Sequence, residues 1–269
     1  KTRMMFHVGY AEYAQLPPTL YILSFDNHSR MTPIHSHHVT VGLSVLDTPR
    51  IRVTLNAYEK HYRDYPVSTL FPQLTMANIA DTFGEAFLIF PMTSAGRGVT
   101  RGVESAIDWR PTQRLTLAST VTYMRSWFAG LDGVLRKGAF DMPAVANFSG
   151  NAVLGKGWTA SFRYSTSTGK PYTPDNLALS KAQNRDVYDV SQLNSLRAPT
   201  YSRLDFRWEW TRAMRGGVFN LHFGLENALG TTNFYSLLWR PRCGSDPTCG
   251  VLQQNQMPRF PDFGVKFRH

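Results

Sequence analysis

Four histidines, His28, His35, His37 and His38, stand close together near the start of the chain. Imidazoles at this spacing could hold Zn²⁺, Cu²⁺ or the edge of a haem, and the alternation His35-Ser-His37 would put two rings on one face of a strand. No cysteine or fixed carboxylate nearby completes a ligand set, so the cluster reads as a solvated rim, and no metal or cofactor is expected. Asp26 and His28, with Asp186 and Asp189 on a later polar segment, are the pieces of a carboxylate-and-imidazole device for activating water. Yet the chain holds no Gly-Xaa-Ser-Xaa-Gly elbow, phosphate-binding loop or zinc-protease helix motif, so no catalytic residue is assigned. Two aromatic segments, Ala86-Phe-Leu-Ile-Phe90 and Phe234-Tyr-Ser-Leu-Leu-Trp239, could stack on a ligand or anchor in lipid. The candidates for ligand contact are therefore His35, His37, Phe87, Tyr235 and Trp239. Cys243 and Cys249 share a Gly/Pro-rich segment where a short disulfide loop would suit an oxidising envelope, with a pair of free thiols as the alternative.

The elements that must position these residues show most clearly at Arg203-Leu-Asp-Phe-Arg-Trp-Glu-Trp210, where charged and large apolar side chains alternate without a break. A strand sends successive side chains to opposite faces, so one face is ionic and the other carries Leu204, Phe206, Trp208 and Trp210. A strand wetted by lipid on one side and by an aqueous or plugged lumen on the other requires this pattern. A soluble sandwich would instead bury Trp208 and Phe223 in a dry core.

Alternation recurs in ten places. The clearest are Val39, Val41, Leu43 and Val45; Ile51, Val53, Leu55 and Ala57; Val103, Ile107 and Trp109; Leu115, Leu117, Val121 and Tyr123; Phe219, Leu221, Phe223 and Leu225; and the closing Phe263, Val265 and Phe267. The strands are expected to run about 9 to 14 residues, enough to cross hydrocarbon at a tilt. Short turns at Asp47-Thr-Pro-Arg50, Pro111-Thr-Gln-Arg114, Gly155-Lys-Gly157 and Arg215-Gly-Gly217 alternate with long segments near 14–36, 66–97, 129–143, 172–199 and 236–257. Compact soluble domains have a median connection of about 4 to 6 residues. Short turns at one rim and long loops at the other describe an outer-membrane barrel. Charged side chains on the lumen faces, among them Arg52, Glu104, Asp108, Arg163, Arg203, Asp205, Arg207 and Glu209, read as cross-strand ladders that satisfy one another.

Composition agrees. The longest apolar run, Ala86 to Met92, contains Pro91 and falls far short of the roughly 18 residues of a spanning helix. Mean hydropathy of −0.28 does not discriminate, because a barrel dilutes its lipid face with lumen and loop residues. Aromatic residues at 13% suit interfacial girdles. The net charge of +10 is scattered along the strands rather than blocked, which speaks against nucleic acid and points to lipopolysaccharide phosphates or an anionic ligand.

The order of several short motifs resembles the carboxy-terminal part of the β-barrel of TonB-dependent outer-membrane receptors. They are Val8-Gly-Tyr-Ala-Glu-Tyr13 with Pro17-Pro18, Tyr58-Glu-Lys-His-Tyr-Arg-Asp-Tyr-Pro66, Gly98-Val-Thr-Arg-Gly-Val-Glu104 and Gly169-Lys-Pro-Tyr172. Tyr201-Ser-Arg-Leu-Asp-Phe-Arg207, Leu225-Glu-Asn-Ala-Leu-Gly-Thr-Thr-Asn-Phe-Tyr235 and Arg259-Phe-Pro-Asp-Phe-Gly-Val-Lys-Phe267 follow. The resemblance spans essentially the whole chain.

It implies that residues 1–269 are one domain, an all-β transmembrane antiparallel barrel portion holding roughly the last ten of about 22 strands, with plug and earlier strands absent. It further implies energised uptake of a bulky nutrient such as a ferric siderophore, cobalamin or an oligosaccharide, and a location in the bacterial outer membrane. The implied partners are outer-membrane lipid and lipopolysaccharide, a TonB-type energy-coupling complex acting through the plug, the barrel assembly machinery and the extracellular ligand. Family members commonly end on an aromatic residue, whereas Arg268 and His269 follow Phe267 here; Phe263, Val265 and Phe267 keep the alternation of an assembly signal. The alternative is a self-contained ten-stranded barrel acting as a passive porin or an omptin-like protease. An open sheet of ten strands would leave unpaired edge groups costing tens of kcal/mol in lipid, so it must close or be completed.

Overall fold

Long strands in one antiparallel sheet dominate the computed structural model, which describes residues 4–79, 90–185, 187–239 and 251–269. In chain order the strands are β1 (Met5–Gln15), β2 (Ile34–Asp47), β3 (Ile51–Ser68), β4 (Met92–Thr112), β5 (Leu115–Ala129), β6 (Leu135–Lys137), β7 (Ala144–Gly155) and β8 (Trp158–Ser167). After them come β9 (Pro171–Tyr172), β10 (Leu196–Arg197), β11 (Tyr201–Met214), β12 (Gly217–Glu226), β13 (Phe234–Trp239), β14 (Val251–Asn255) and β15 (Phe260–Arg268). The helices are short: α1 (Thr19–Ile22) and α2 (Leu177–Gln183). No helix among the described residues is long and apolar enough to cross a membrane.

The main sheet runs β1-β2-β3-β4-β5-β7-β8-β11-β12-β15, with β6 added to the end of β5. These are the ten alternating segments of the sequence, each paired antiparallel to its neighbour. The path is open, ending at β1 on one side and β15 on the other. The short turns fall where expected. At the first of them Thr48 accepts the backbone N–H of Ile51 on its hydroxyl at 3.0 Å, and at Gly155-Lys-Gly157 all three residues take positive φ, the reason glycine flanks the lysine.

Strand length departs from expectation: β3 has 18 residues and β4 has 21. Beyond Ala57 and Val103 the outward pattern changes from apolar to charged while pairing continues as far as Ser68 with Met92. Hydrophobic periodicity ends with the lipid, but the hydrogen-bonded ladder does not.

Register assigns the faces. Phe6, Leu43 and Leu55 lie in one cross-strand row, and Phe162, Phe206 and Leu225 in another. Trp208 is 36% exposed and Phe223 49% exposed, so neither is in a dry core. A continuous exposed apolar face of this extent needs lipid. The opposite face carries the charges: Arg203 pairs with Asp205 at 2.7 Å and with Glu226 at 2.8 Å, and Arg207 with Glu209 at 2.7 Å. Two of these three pairs join residues i and i+2 on one strand, so the ladder runs along β11 as well as across it.

Solvent-excluded packing among the described residues is concentrated in the long loops and at the strand ends that meet them, Val67, Met92, Phe128 and Ala129. Leu74, Ile79, Phe90, Met92 and Leu193 form a buried cluster with Tyr21 and Met31 against it.

Candidate ligand mouth

The lumen face of the β1–β5 arc bears a row of rings near the loop end. Tyr13 on β1 meets His38 on β2 with centroids 4.7 Å apart, and His38 meets Tyr62 on β3 edge-on at 6.4 Å. Tyr62 then meets Phe128 on β5 at 5.3 Å, and Tyr65 meets the same ring at 4.9 Å. β4 is crossed without a side chain, because Gly98 is the residue paired with both Tyr62 and Phe128. A Cβ on Gly98 would collide with the Phe128 ring, so glycine is what lets the aromatic row cross the strand. Gly102 does the same two rows lower, where an added Cβ would lie 2.6 Å from Cζ of Tyr58. Lys60 holds its ammonium 4.7 Å from the Tyr58 ring centroid, adding positive charge to the aromatic wall.

Above this wall the loops are stapled by buried polar groups. Asn27 donates to the carbonyls of Tyr21 and Phe90 and accepts the N–H of Met92, tying the β1–β2 loop to the β3–β4 loop. Asn194 donates to the carbonyls of Asn78 and Lys137 at 3.0 and 2.9 Å, joining three loops. Asp141, fully buried, receives Arg125 at 3.1 Å and Arg197 at 2.8 Å, together with the backbone N–H of Ser126. Both ends of the Asn27 amide and both oxygens of the Asp141 carboxylate are matched, which is the condition under which such groups can be withdrawn from water; in the wall below, His38 Nε2 and Asn56 Oδ1 are buried without a hydrogen-bond partner among the described residues.

Further along the sheet, a groove of about 570 Å³ is lined by Asn151, Arg163, Arg203, Asp205, Glu226 and Asp262, among others. Asp262 Oδ2 lies 3.3 Å from His222 Nε2 in the same region. Arginines and carboxylates dominate the charged part of this lining.

The residues singled out from sequence are distributed unevenly over this architecture. His35 and His37 do share a face, but it is the outward one: His35 pairs with Asp64 at 2.9 Å and His37 with Glu12 at 3.2 Å. His38 points to the lumen instead, so the histidine cluster is split by the sheet. Tyr235 on β13 is 55% exposed, and its neighbour Phe234 stacks on Tyr172 at 6.0 Å. Trp239 ends β13; its side chain, Phe87, Asp186, Cys243 and Cys249 lie outside what the structure describes. Asp189 is engaged locally, accepting from Ser191 and Gln192. No group of three or more His, Cys, Asp or Glu able to hold a metal occurs among the described residues. Phe263, Val265 and Phe267 share the outward face of β15, with Phe263 83% exposed. Sequence reading missed Tyr13, Lys60 and Tyr62 as wall residues, although the alternation Tyr58-Xaa-Lys60-Xaa-Tyr62 was available as a signal.

Comparison with known proteins follows the same lines. The sequence matches the family described as TonB dependent receptor-like, beta-barrel, over residues 3–221. No curated protein matches the chain by sequence. Among solved structures, the ferric-catecholate import receptor Fiu from E. coli K12 is similar at 11% identity and a TM-score of 0.62, over 97% of this chain and 32% of that one. The ferric yersiniabactin uptake receptor FyuA from Yersinia pestis is similar at 17% identity and a TM-score of 0.57, over 97% and 33%. The outer membrane transporter YddB from Escherichia coli is similar at 10% identity and a TM-score of 0.63, over 97% and 38%. The chain thus spans about a third of the length of these structures, and at such identities they speak to the fold. A family of transporters rather than enzymes sets aside the protease alternative, and the apolar outward face is the lipid-facing surface of an outer-membrane protein. The chain belongs to the TonB-dependent receptor β-barrel family.

Proposed function

We propose that this chain forms an arc of the wall of an outer-membrane receptor that takes up a bulky nutrient, of the ferric siderophore, cobalamin or oligosaccharide class, with energy supplied through a TonB-type coupling complex. The observation that carries the reading is the lumen-facing row Tyr13, His38 and Tyr62, with Lys60 beneath it, placed under stapled loops. Rings presented edge and face to a lumen offer stacking surface to a large ligand, and the ammonium favours an anionic one. Two structural neighbours are named as a ferric-catecholate import receptor and a ferric yersiniabactin uptake receptor, in keeping with the first of the three classes. The charged groove around Arg163, Arg203 and Asp205 is the surface for a plug through which the coupling complex would act. Phe263, Val265 and Phe267 would present the assembly machinery with its terminal signal.

The test is uptake by the full receptor in cells of radiolabelled ferric siderophores, cobalamin and oligosaccharides as a panel, with Tyr13→Ala/Tyr62→Ala beside the native sequence. Uptake of one class, reduced at least tenfold in the double variant at equal folded receptor level, is expected. Equal uptake by native and double variant would remove the aromatic wall from the mechanism, and uptake of none of the three classes would overturn the nutrient reading.

A further inference from the structure

Glu12 and Arg63 stand without a charged mate on the outward side of the wall. Glu12 on β1 reaches the Tyr10 hydroxyl and lies 3.2 Å from His37, but it meets no arginine or lysine among the described residues. Arg63 on β3 is exposed and enters no ion pair among the described residues. The charges around them are engaged: Glu59 holds Arg101 at 2.8 Å and also contacts His61, and Asp64 lies 2.9 Å from His35. Register puts β2 between the two. Glu12, His37 and His61 form one outward cross-strand row, and His35 with Arg63 forms the next row toward the loops. One anion and one cation are left over, on opposite sides of a central strand.

Beneath them the apolar band is smooth. Its outward residues are Val39, Val41 and Leu43 on β2 and Val53, Leu55 and Ala57 on β3, all of them aliphatic. The same band on β8, β11, β12 and β15 carries Phe162, Phe206, Trp208, Phe223 and Phe263. Short side chains let two membrane-embedded surfaces approach closely, and close packing is what draws together surfaces that lipid solvates equally well.

We propose that this face is a contact between two copies of the receptor, related by a two-fold axis along the membrane normal that passes beside β2. Both copies then keep the same orientation in the membrane, and β1 of each lies against β3 of the other. Glu12 meets the partner's Arg63 and Arg63 meets the partner's Glu12, so one symmetric contact forms two ion pairs. Along the strand the two residues differ by one outward row, about 6.6 Å, a gap that two long side chains reaching toward each other span. Lower down, Phe6 faces the partner's Leu55 and Val8 faces the partner's Ala57, since each of these pairs shares a row through β2. A second copy fits the patch better than an anionic lipid headgroup does. It answers both charges at once, whereas a headgroup anion docked on Arg63 would leave Glu12 repelling it. The contact concerns the barrel wall and is independent of which nutrient the receptor takes up.

The test co-expresses two differently tagged copies of the full receptor, extracts them in mild detergent, captures one tag and quantifies the other. Native copies are expected to capture one another. Glu12→Arg copies should fail to capture Glu12→Arg copies, and Arg63→Glu copies should fail with their own kind, each with a loss of roughly tenfold or more, because both ion pairs become like-charged contacts. Glu12→Arg copies mixed with Arg63→Glu copies should pair as the native receptor does, since every contact then joins opposite charges again. That mixture also guards against misfolding, because a misfolded variant could not be rescued by the other. Heat-modified gel mobility checks the fold of each variant, and the double swap Glu12→Arg/Arg63→Glu should pair with itself. Absence of capture between native copies, undiminished capture in the single variants, or failure of the mixture and of the double swap to regain it would each overturn the proposal.

Discussion

Asp141 and Arg197, 56 residues apart in sequence, meet at 2.8 Å with the carboxylate fully buried. Arg197 also donates to the carbonyls of Asp141 and Gly169. One guanidinium thus fastens the β5–β7 loop to the β8–β11 loop, while Arg125 fastens the same carboxylate to the barrel wall.

Arg197→Met should therefore loosen the loops and spare the barrel. Withdrawing one partner from a buried carboxylate costs about 3–5 kcal/mol. Hydrogen exchange is expected to accelerate across 130–143 and 168–200 with no change in β11 or β12. Unaltered protection in both loops would contradict the stapling role.

Gly98→Val should impair assembly more than its small volume suggests. The new side chain would have to occupy space filled by the Phe128 ring, and such overpacking costs about 1–3 kcal/mol. The folded fraction, read by heat-modified gel mobility of membrane extracts, should fall, and Gly98→Val/Phe128→Ala should recover part of it.

Faces of β11 should respond oppositely to charge. Trp208→Arg places a cation against lipid and is expected to destabilise by about 2–4 kcal/mol near the bilayer midplane, whereas Glu209→Gln on the lumen side, in an exposed pair with Arg207, should stay within about 1 kcal/mol. Urea unfolding in lipid vesicles measures both. Equal effects would reverse the assignment of the faces.

Acidification should open one loop turn before the rest. Asp189 is held below the usual carboxylate range, first by the hydroxyl of Ser191 and then by the Gln192 side chain. A carboxyl with a lowered folded pKa contributes stability that is present above its ordinary value of 3.8 and is lost as pH falls through the lowered value. The amides of Ser191 and Gln192 are expected to keep their protection at pH 5 and lose it in the window below 3.8, with Asp189→Asn showing no such step.

Much of the barrel was legible because a strand between lipid and lumen must satisfy two solvents at once, as Arg203 to Trp210 does in every position. The upper half of β3 was harder to read. There Glu59, His61 and Arg63 face outward and Tyr58, Lys60 and Tyr62 inward, so both faces are polar or amphipathic and the periodicity that identifies a strand disappears although the ladder continues. The loop staples carry no local signal. Asn27, Asp141 and Asn194 are ordinary polar loop residues until chain segments distant in sequence surround them. The split of His37 from His38 follows directly from the period of two.

The β3–β4 hairpin outgrows the apolar band, whereas β7 and β8 end close to it. At about 3.3 Å per residue, the stretch from Glu59 to Ser68 carries the sheet well clear of the bilayer, with β2 and β5 alongside as far as Arg63 and Arg97 and β4 the only strand paired to β3 from Tyr65 to Ser68 among the described residues. An antibody or phage tail fibre arriving from the medium would meet a sheet-backed, conformationally fixed epitope there, and surface recognition of this protein should be lost on denaturation more completely than recognition of a flexible loop would be.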